Sequence, residues 1–142
     1  KTRSIMGPLS KRVFESLSPE IPSLLERSNN NHERLRLALE NLGLKVISRI
    51  DRQCSSPRIV FLVHRDVKLS LCEWLNKDSV EMGIWFDHMP ILGYCNASEK
   101  LSGTTELMSR VVNLSCHWSI SSVEIDKVIE SVECFFAQSD HV

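Results

Sequence analysis

Apolar and polar positions change period several times along the 142-residue chain, and each change marks an element. In SPEIPSLLERSNNNHERLRLALENLG, Ile21, Leu24, Leu25, Ser28, His32, Leu35, Leu39 and Leu42 recur about every 3.5 residues, which predicts one long amphipathic helix. Ser18-Pro19 suits its N-cap and first turn and Gly43 suits its stop, while Pro22 blurs where it begins. LKVISRI (44–50) then alternates with the two-residue period of a half-buried strand. RIVFLVHR (58–65) is a continuous β-branched run, as in a strand covered on both faces, and the linker DRQCSSP makes the two an antiparallel pair. Asp66 is the expected N-cap of a helix through VKLSLCEWLNK, with Val67, Leu71, Cys72 and Leu75 on one side.

VEMGIWF (80–86) reads as a third strand, and DHMPILGYCNASEKLSG after it as a long irregular loop of the kind that often carries function. A short helical turn around TTELMS precedes a last strand, RVVNL. In the closing helix Ser121 and Glu124 form a capping box, Ile120 and Ile125 a hydrophobic staple, and Ile125, Val128, Ile129, Val132, Phe135 and Phe136 an apolar stripe. The order predicts an α+β fold: a small, mostly antiparallel sheet of three to four strands with helices packed on one face. Residues 1–17, broken at Gly7-Pro8, read as an N-terminal arm, and residues 18–142 as one domain.

Composition narrows the function classes. With 42% hydrophobic and 25% charged residues, the chain is that of an ordinary globular protein. It has neither an apolar run near the roughly 18 residues of a membrane span nor a signal-peptide layout, so cytoplasmic residence without membrane attachment is expected. The five cysteines (54, 72, 95, 116, 134) include no C-x-x-C pair, which argues against a disulfide framework or a zinc knuckle. Residues 1–70 carry a net charge of +6 and residues 71–142 one of −7. The basic residues alternate with acids along helical faces without interleaved aromatics, so a solvated surface or protein interface is expected rather than nucleic-acid binding. Because the chain opens on Lys1 and not on methionine, a trimmed or partial product is expected.

Few residues offer chemistry. The metal-ligand candidates His88, Cys95, Cys116 and His117 have spacings that match no usual ligand pair. Cys116 or Cys95 with His117 or His88 and Asp87 could form a nucleophilic set, but nothing in the sequence brings them together. Phosphate-cradling glycine motifs are absent. Gly83 inside a strand pattern points to a bulge or a close backbone approach. Trp85, Phe86 and His88 after it could line a ligand mouth or cap the end of the sheet.

SVEMGIWFDHMPILGY followed by RVVNLSCHWSISSVEIDKVIESV resembles the C-terminal small domain of the DegT/StrS-type PLP-dependent aminotransferases of fold type I, many of which act on sugar nucleotides. The matching features are Gly83-Ile84-Trp85-Phe86, His88 and Pro90, Gly93-Tyr94, Asn113-Leu114-Ser115-Cys116-His117 and the Ser121-to-Glu124 helix start. Upstream, ERSNNNHERLRLALENLGL resembles the family's R-x-x-N helix ending in L-x-x-L-G, with Arg27 and either Asn30 or Asn31 in those roles. The similarity spans roughly residues 20–136, and Ser115 replaces the family's usual proline.

The resemblance implies a PLP-binding large domain as partner and a homodimeric full-length enzyme of sugar biosynthesis. It implies no catalytic or cofactor-binding residue in this chain, because none of the seven lysines (Lys1, Lys11, Lys45, Lys68, Lys77, Lys100, Lys127) matches a family lysine motif. It also implies that Trp85, Phe86, His88, Asn113 and His117 lie on the side nearer the substrate cleft, and that Cys116-His117-Trp118 is a joint between strand and helix. The alternative is a free-standing, non-catalytic binding module that reuses the fold.

Overall fold

The computed structural model describes residues 12, 15, 16, 18–48, 56–83 and 102–138. Most of the expected arm, the end of the first strand, Cys54, and the segment from Ile84 through Leu101 with Trp85, Phe86, His88 and Cys95 lie outside the described residues.

The first helix, α1, spans Ile21–Asn41 and buries Ser28, Asn31, His32, Leu35 and Leu39. It starts later than Ser18-Pro19 suggests: Glu20 is the capping residue, and Pro22 falls in the first turn, where a backbone N–H would have no partner anyway. Its end matches expectation. Gly43 takes the left-handed φ of 75°, its N–H reaches Glu40 O at 2.9 Å, and Leu44 N–H reaches Leu39 O at 3.0 Å, a Schellman stop. Strand β1 (Lys45–Val46) pairs antiparallel with β2 (Arg58–Leu62). Regular pairing stops at Val46 because Ile47 N–H and Ser48 N–H both go to Val60 O, at 2.9 and 3.2 Å, which makes a bulge.

In β2, Ile59 and Phe61 are fully buried, while Arg58, Val60 and Leu62 on the alternate face are only partly covered. Helix α2 (Arg65–Lys77) begins one residue before Asp66. His64, extended at ψ 141°, is the capping residue and uses no side-chain bond, while Asp66 sits in the first turn, where its charge still suits the positive end of the helix dipole. Val67, Leu71, Cys72 and Leu75 are buried as the spacing requires. Strand β3 (Met82–Gly83) follows, and α3 (Ser102–Arg110) is a nine-residue helix where the sequence suggested only a turn. It takes Arg110 from the expected last strand, so β4 runs Val111–Ser115. Helix α4 (Ser122–Gln138) closes the fold.

The four strands lie in the order β1-β2-β4-β3, every pair antiparallel. Register places Phe61 opposite Val112 and Ile59 opposite Leu114. These four residues share one core with Leu35 and Leu39 of α1, Leu71 and Leu75 of α2, and Ile125, Val132, Phe135 and Phe136 of α4. Trp74 meets Phe135 edge-on at 6.0 Å, and its Nε1–H donates to Ser131 O at 3.0 Å, fixing α2 against α4. The architecture is the expected α+β layer. No helix among the described residues is long and apolar enough to cross a membrane.

Candidate functional site

The turn from β4 into α4, Cys116 to Ser121, lies against the buried face of α1. Turns expose backbone carbonyls that no ladder satisfies, and here α1 supplies donors for them. Asn31 Nδ2 donates to His117 O at 3.3 Å and to Ile120 O at 3.0 Å. Ser28 Oγ donates to Cys116 O and Arg27 Nη1 to Trp118 O, each at 3.4 Å. Arg34 Nη1 donates to Ser122 O at 3.2 Å and pairs with Asp126. Of the two asparagines left open by the sequence, Asn31 is the one that latches the turn, and Asn30 stays exposed.

The helix start is built as its capping box requires. Ser121 N–H donates to Glu124 Oε2 at 2.8 Å, and Glu124 N–H returns to Ser121 Oγ at 3.3 Å. The Ser121 hydroxyl and N–H hold the Glu124 carboxyl below the ordinary carboxylate range. Ile120 and Ile125 join the same core, as a staple should.

Cys116 is wholly buried; its thiol donates to Ser56 O at 3.3 Å, and burial pushes its pKa up to about 12. A thiol so held is a packing group, not a nucleophile at neutral pH. His117 is half-buried, with Nδ1 at 2.7 Å from Ser119 Oγ. It borders a groove of about 410 Å³ whose floor includes Leu114 and Ile120 and whose walls include Glu81 and Lys127. Among the described residues no three His, Cys, Asp or Glu side chains gather as a metal site would need.

Asn113 lies elsewhere, on the sheet face turned away from the core cluster. It is buried; Nδ2 donates to Gly83 O at 2.7 Å, and Oδ1 accepts from Arg58 Nη1 at 2.8 Å. Arg58 continues to Glu81 Oε1 at 3.3 Å. A Cβ on Gly83 would stand 2.2 Å from Asn113 Oδ1, so the close approach expected at this glycine is a side-chain amide crossing the neighbouring strand. Ser28 is on the helical face that the spacing predicts, but its bond to Cys116 O and the role of Arg58 depend on helix docking and strand register. Asn113 does not itself border the His117 groove, but Arg58 links it to Glu81 of the groove's wall, and Trp85, Phe86 and His88 lie outside the described residues.

Among the described lysines none is both buried and at a groove; Lys127 borders the 410 Å³ groove but is exposed. Lys45, Lys77 and Lys127 are exposed. Lys68 is buried, but its Nζ donates to Met108 O at 2.9 Å, tying α2 to α3, and it borders neither the 410 Å³ groove nor the larger cleft beside Arg27 and Arg34.

No protein-family model and no curated protein matches the chain. Solved structures do. The aminotransferase TlmJ from Streptoalloteichus hindustanus aligns over 96% of this chain and 38% of its own, with a TM-score of 0.77 and 19% identity. The sugar aminotransferase CalS13 from Micromonospora echinospora aligns over 94% and 36%, with a TM-score of 0.70 and 16% identity. A DegT DnrJ EryC1 StrS aminotransferase from Brucella abortus aligns over 80% and 31%, with a TM-score of 0.62 and 20% identity. The chain spans well under half the length of each. Its fold is that of one portion of the DegT/DnrJ/EryC1/StrS-type sugar aminotransferases.

Proposed function

We propose that this chain acts as the C-terminal small domain of a cytoplasmic, PLP-dependent aminotransferase that acts on sugar nucleotides. On this reading it is silent alone and works beside a lysine-bearing large domain in a homodimer. The observation that carries the reading is the alignment of 96% of the chain onto 38% of an aminotransferase at a TM-score of 0.77. The motif order in the sequence supports the C-terminal assignment, and the engagement of Lys68 with Met108 supports the placement of cofactor chemistry in another domain. The role left to the chain is to shape and close a cleft. His117 beside its groove, with Trp85, Phe86, His88 and Asn113, would line the substrate side.

Two measurements test this. The purified chain, mixed with PLP and an amino donor, should give neither a bound-cofactor absorbance band nor turnover; a band abolished by replacing a single lysine would overturn the reading. Mixing it with the large domain of a DegT-type enzyme lacking its own small domain should yield a complex and restore some turnover. A chain that neither binds nor restores activity, and whose locus encodes no large domain, belongs to a different function.

A further inference from the structure

His32 is a fully buried imidazole at the centre of the contact between α1 and the sheet. Its Nε2 lies 3.0 Å from Ser48 Oγ. That hydroxyl oxygen also accepts Val60 N–H at 3.0 Å, the ladder donor that the β1–β2 bulge would otherwise leave without a partner. With its oxygen accepting from Val60, the Ser48 hydroxyl has one proton to give, and His32 Nε2 is the acceptor in reach. A neutral ring with its proton on Nδ1 closes the chain Val60 N–H to Ser48 to His32 with the hydroxyl as donor; with the proton on Nε2 the hydroxyl oxygen accepts from both Val60 and His32, and its own proton must turn elsewhere. Among the described residues that Nδ1 is buried without a hydrogen-bond partner, and one turn earlier so is Asn29 Oδ1.

We propose that His32 is a proton-sensitive clamp: neutral, it holds α1 to the β1–β2 bulge, and protonated, it lets α1 and the turn that α1 latches come away from the sheet. Starting from the proton on Nδ1, a second one converts Nε2 from acceptor to donor, and the Ser48 hydroxyl must turn its own proton elsewhere. The second proton also places a charge where Nδ1 has no partner. The charges acting on the ring come from α1 itself. Burial, the largest effect, holds its pKa below the ordinary 6.5; Glu33 opposes this and Arg36 adds to it. Arg36 is itself held by Glu33 and Glu40. From the bulge after β1 the ring meets the Ser48 hydroxyl, and among the described residues Glu33 and Arg36 are the charged groups acting on it. Arg34 and Asp126, which join α1 to α4, pair on the exposed side. The consequence reaches the turn because Ser28 and Asn31, on the same buried face of α1, hold the carbonyls of Cys116, His117 and Ile120.

The sign follows from linkage. Above the ordinary pKa of 6.5, His32 is neutral whether α1 is docked or released. Below it the released state binds a proton that the docked state refuses, so docking weakens as pH falls, by up to about tenfold per pH unit, until the docked imidazole also titrates. Two experiments on the full chain test the clamp. Nitrogen NMR of the imidazole should find the neutral ring protonated on Nδ1 and titrating below 6.5. The opposite tautomer, or a midpoint at or above that value, overturns the proposal. Amide exchange at Val60 and Ile120, corrected for intrinsic rates, should speed up by several-fold to about tenfold per pH unit below 6.5. In His32→Gln it should be flat. Flat exchange in the unaltered chain, or an equal slope in the variant, overturns it. If the variant does not fold, the imidazole titration and the unaltered chain's exchange decide the matter.

Discussion

Replacing Gly83 by alanine tests the network on the sheet face away from the core. The added Cβ would stand 2.2 Å from Asn113 Oδ1, 2.8 Å from Asn113 Cγ and 2.8 Å from Arg58 Nη1. No backbone adjustment within an antiparallel pair absorbs such an overlap, so the Asn113 amide must swing away. That swing breaks the 2.7 Å bond to Gly83 O and the 2.8 Å bond from Arg58. Asn113 is 2% exposed, so water does not replace those partners. Leaving a buried amide unpaired costs about 1–3 kcal/mol. Crowding of the strand pair adds about 1–3 kcal/mol. We expect Gly83→Ala to lose about 3 kcal/mol in urea unfolding, with an unchanged denaturant slope. Asn113→Ala removes both Asn113 atoms in the way and leaves only the flexible end of Arg58, so in that background the glycine substitution should cost less than about 1 kcal/mol, and the cycle should show strong coupling. A Gly83→Ala protein within about 0.5 kcal/mol of the parent, or additive costs in the cycle, would refute the argument.

Three further outcomes are expected. Asn31→Leu leaves the carbonyls of His117 and Ile120 without their donor and should cost about 1–3 kcal/mol, with amide exchange at Ile120 rising more than that within α2. Ser121→Ala removes an N-cap and should cost about 1 kcal/mol by thermal or urea unfolding. Because Ser121 lowers the Glu124 pKa in the folded state, its stabilisation is present above the ordinary value of 4.5 and is lost as pH falls through the lowered value; Ser121→Ala should flatten that acid limb. Alkylation of the native chain followed by mass spectrometry should label exposed Cys134 and spare Cys116, whose thiol is buried and raised to about 12; rapid labelling of Cys116 in the folded chain would contradict its assignment as a packing residue.

Features that depend on neighbours in the chain were legible from the start. The Ser121–Glu124 box, the stop at Gly43 and most of the buried faces of α1, α2 and α4 are set by bonds and contacts spanning a few residues, and the sequence places them, apart from Leu25, which is exposed, and Asn31, which is buried. The same locality misplaced helix starts. Ser18 and Asp66 are good caps by type, but Pro22 and the extended His64 decided where α1 and α2 begin. TTELMS has too few apolar positions to set a period, so the sequence predicts only a turn where α3 runs for nine residues.

The sequence by itself determined the elements, their order, the antiparallel layer and the likeness to one part of an aminotransferase, because hydrophobic period and capping chemistry are local and repeat along the chain. Only the tertiary structure decided that Asn31 rather than Asn30 latches the turn and that Asn113 is tied through Arg58 to the wall of the His117 groove. It alone also decided that Gly83 makes way for an amide, and that His32 closes a chain of bonds through Ser48 to Val60. The physical reason is common to all four. Each rests on the rotation of a helix or the register of a strand, where a shift of one residue exchanges a buried donor for an exposed one, and packing across the whole sheet selects that register.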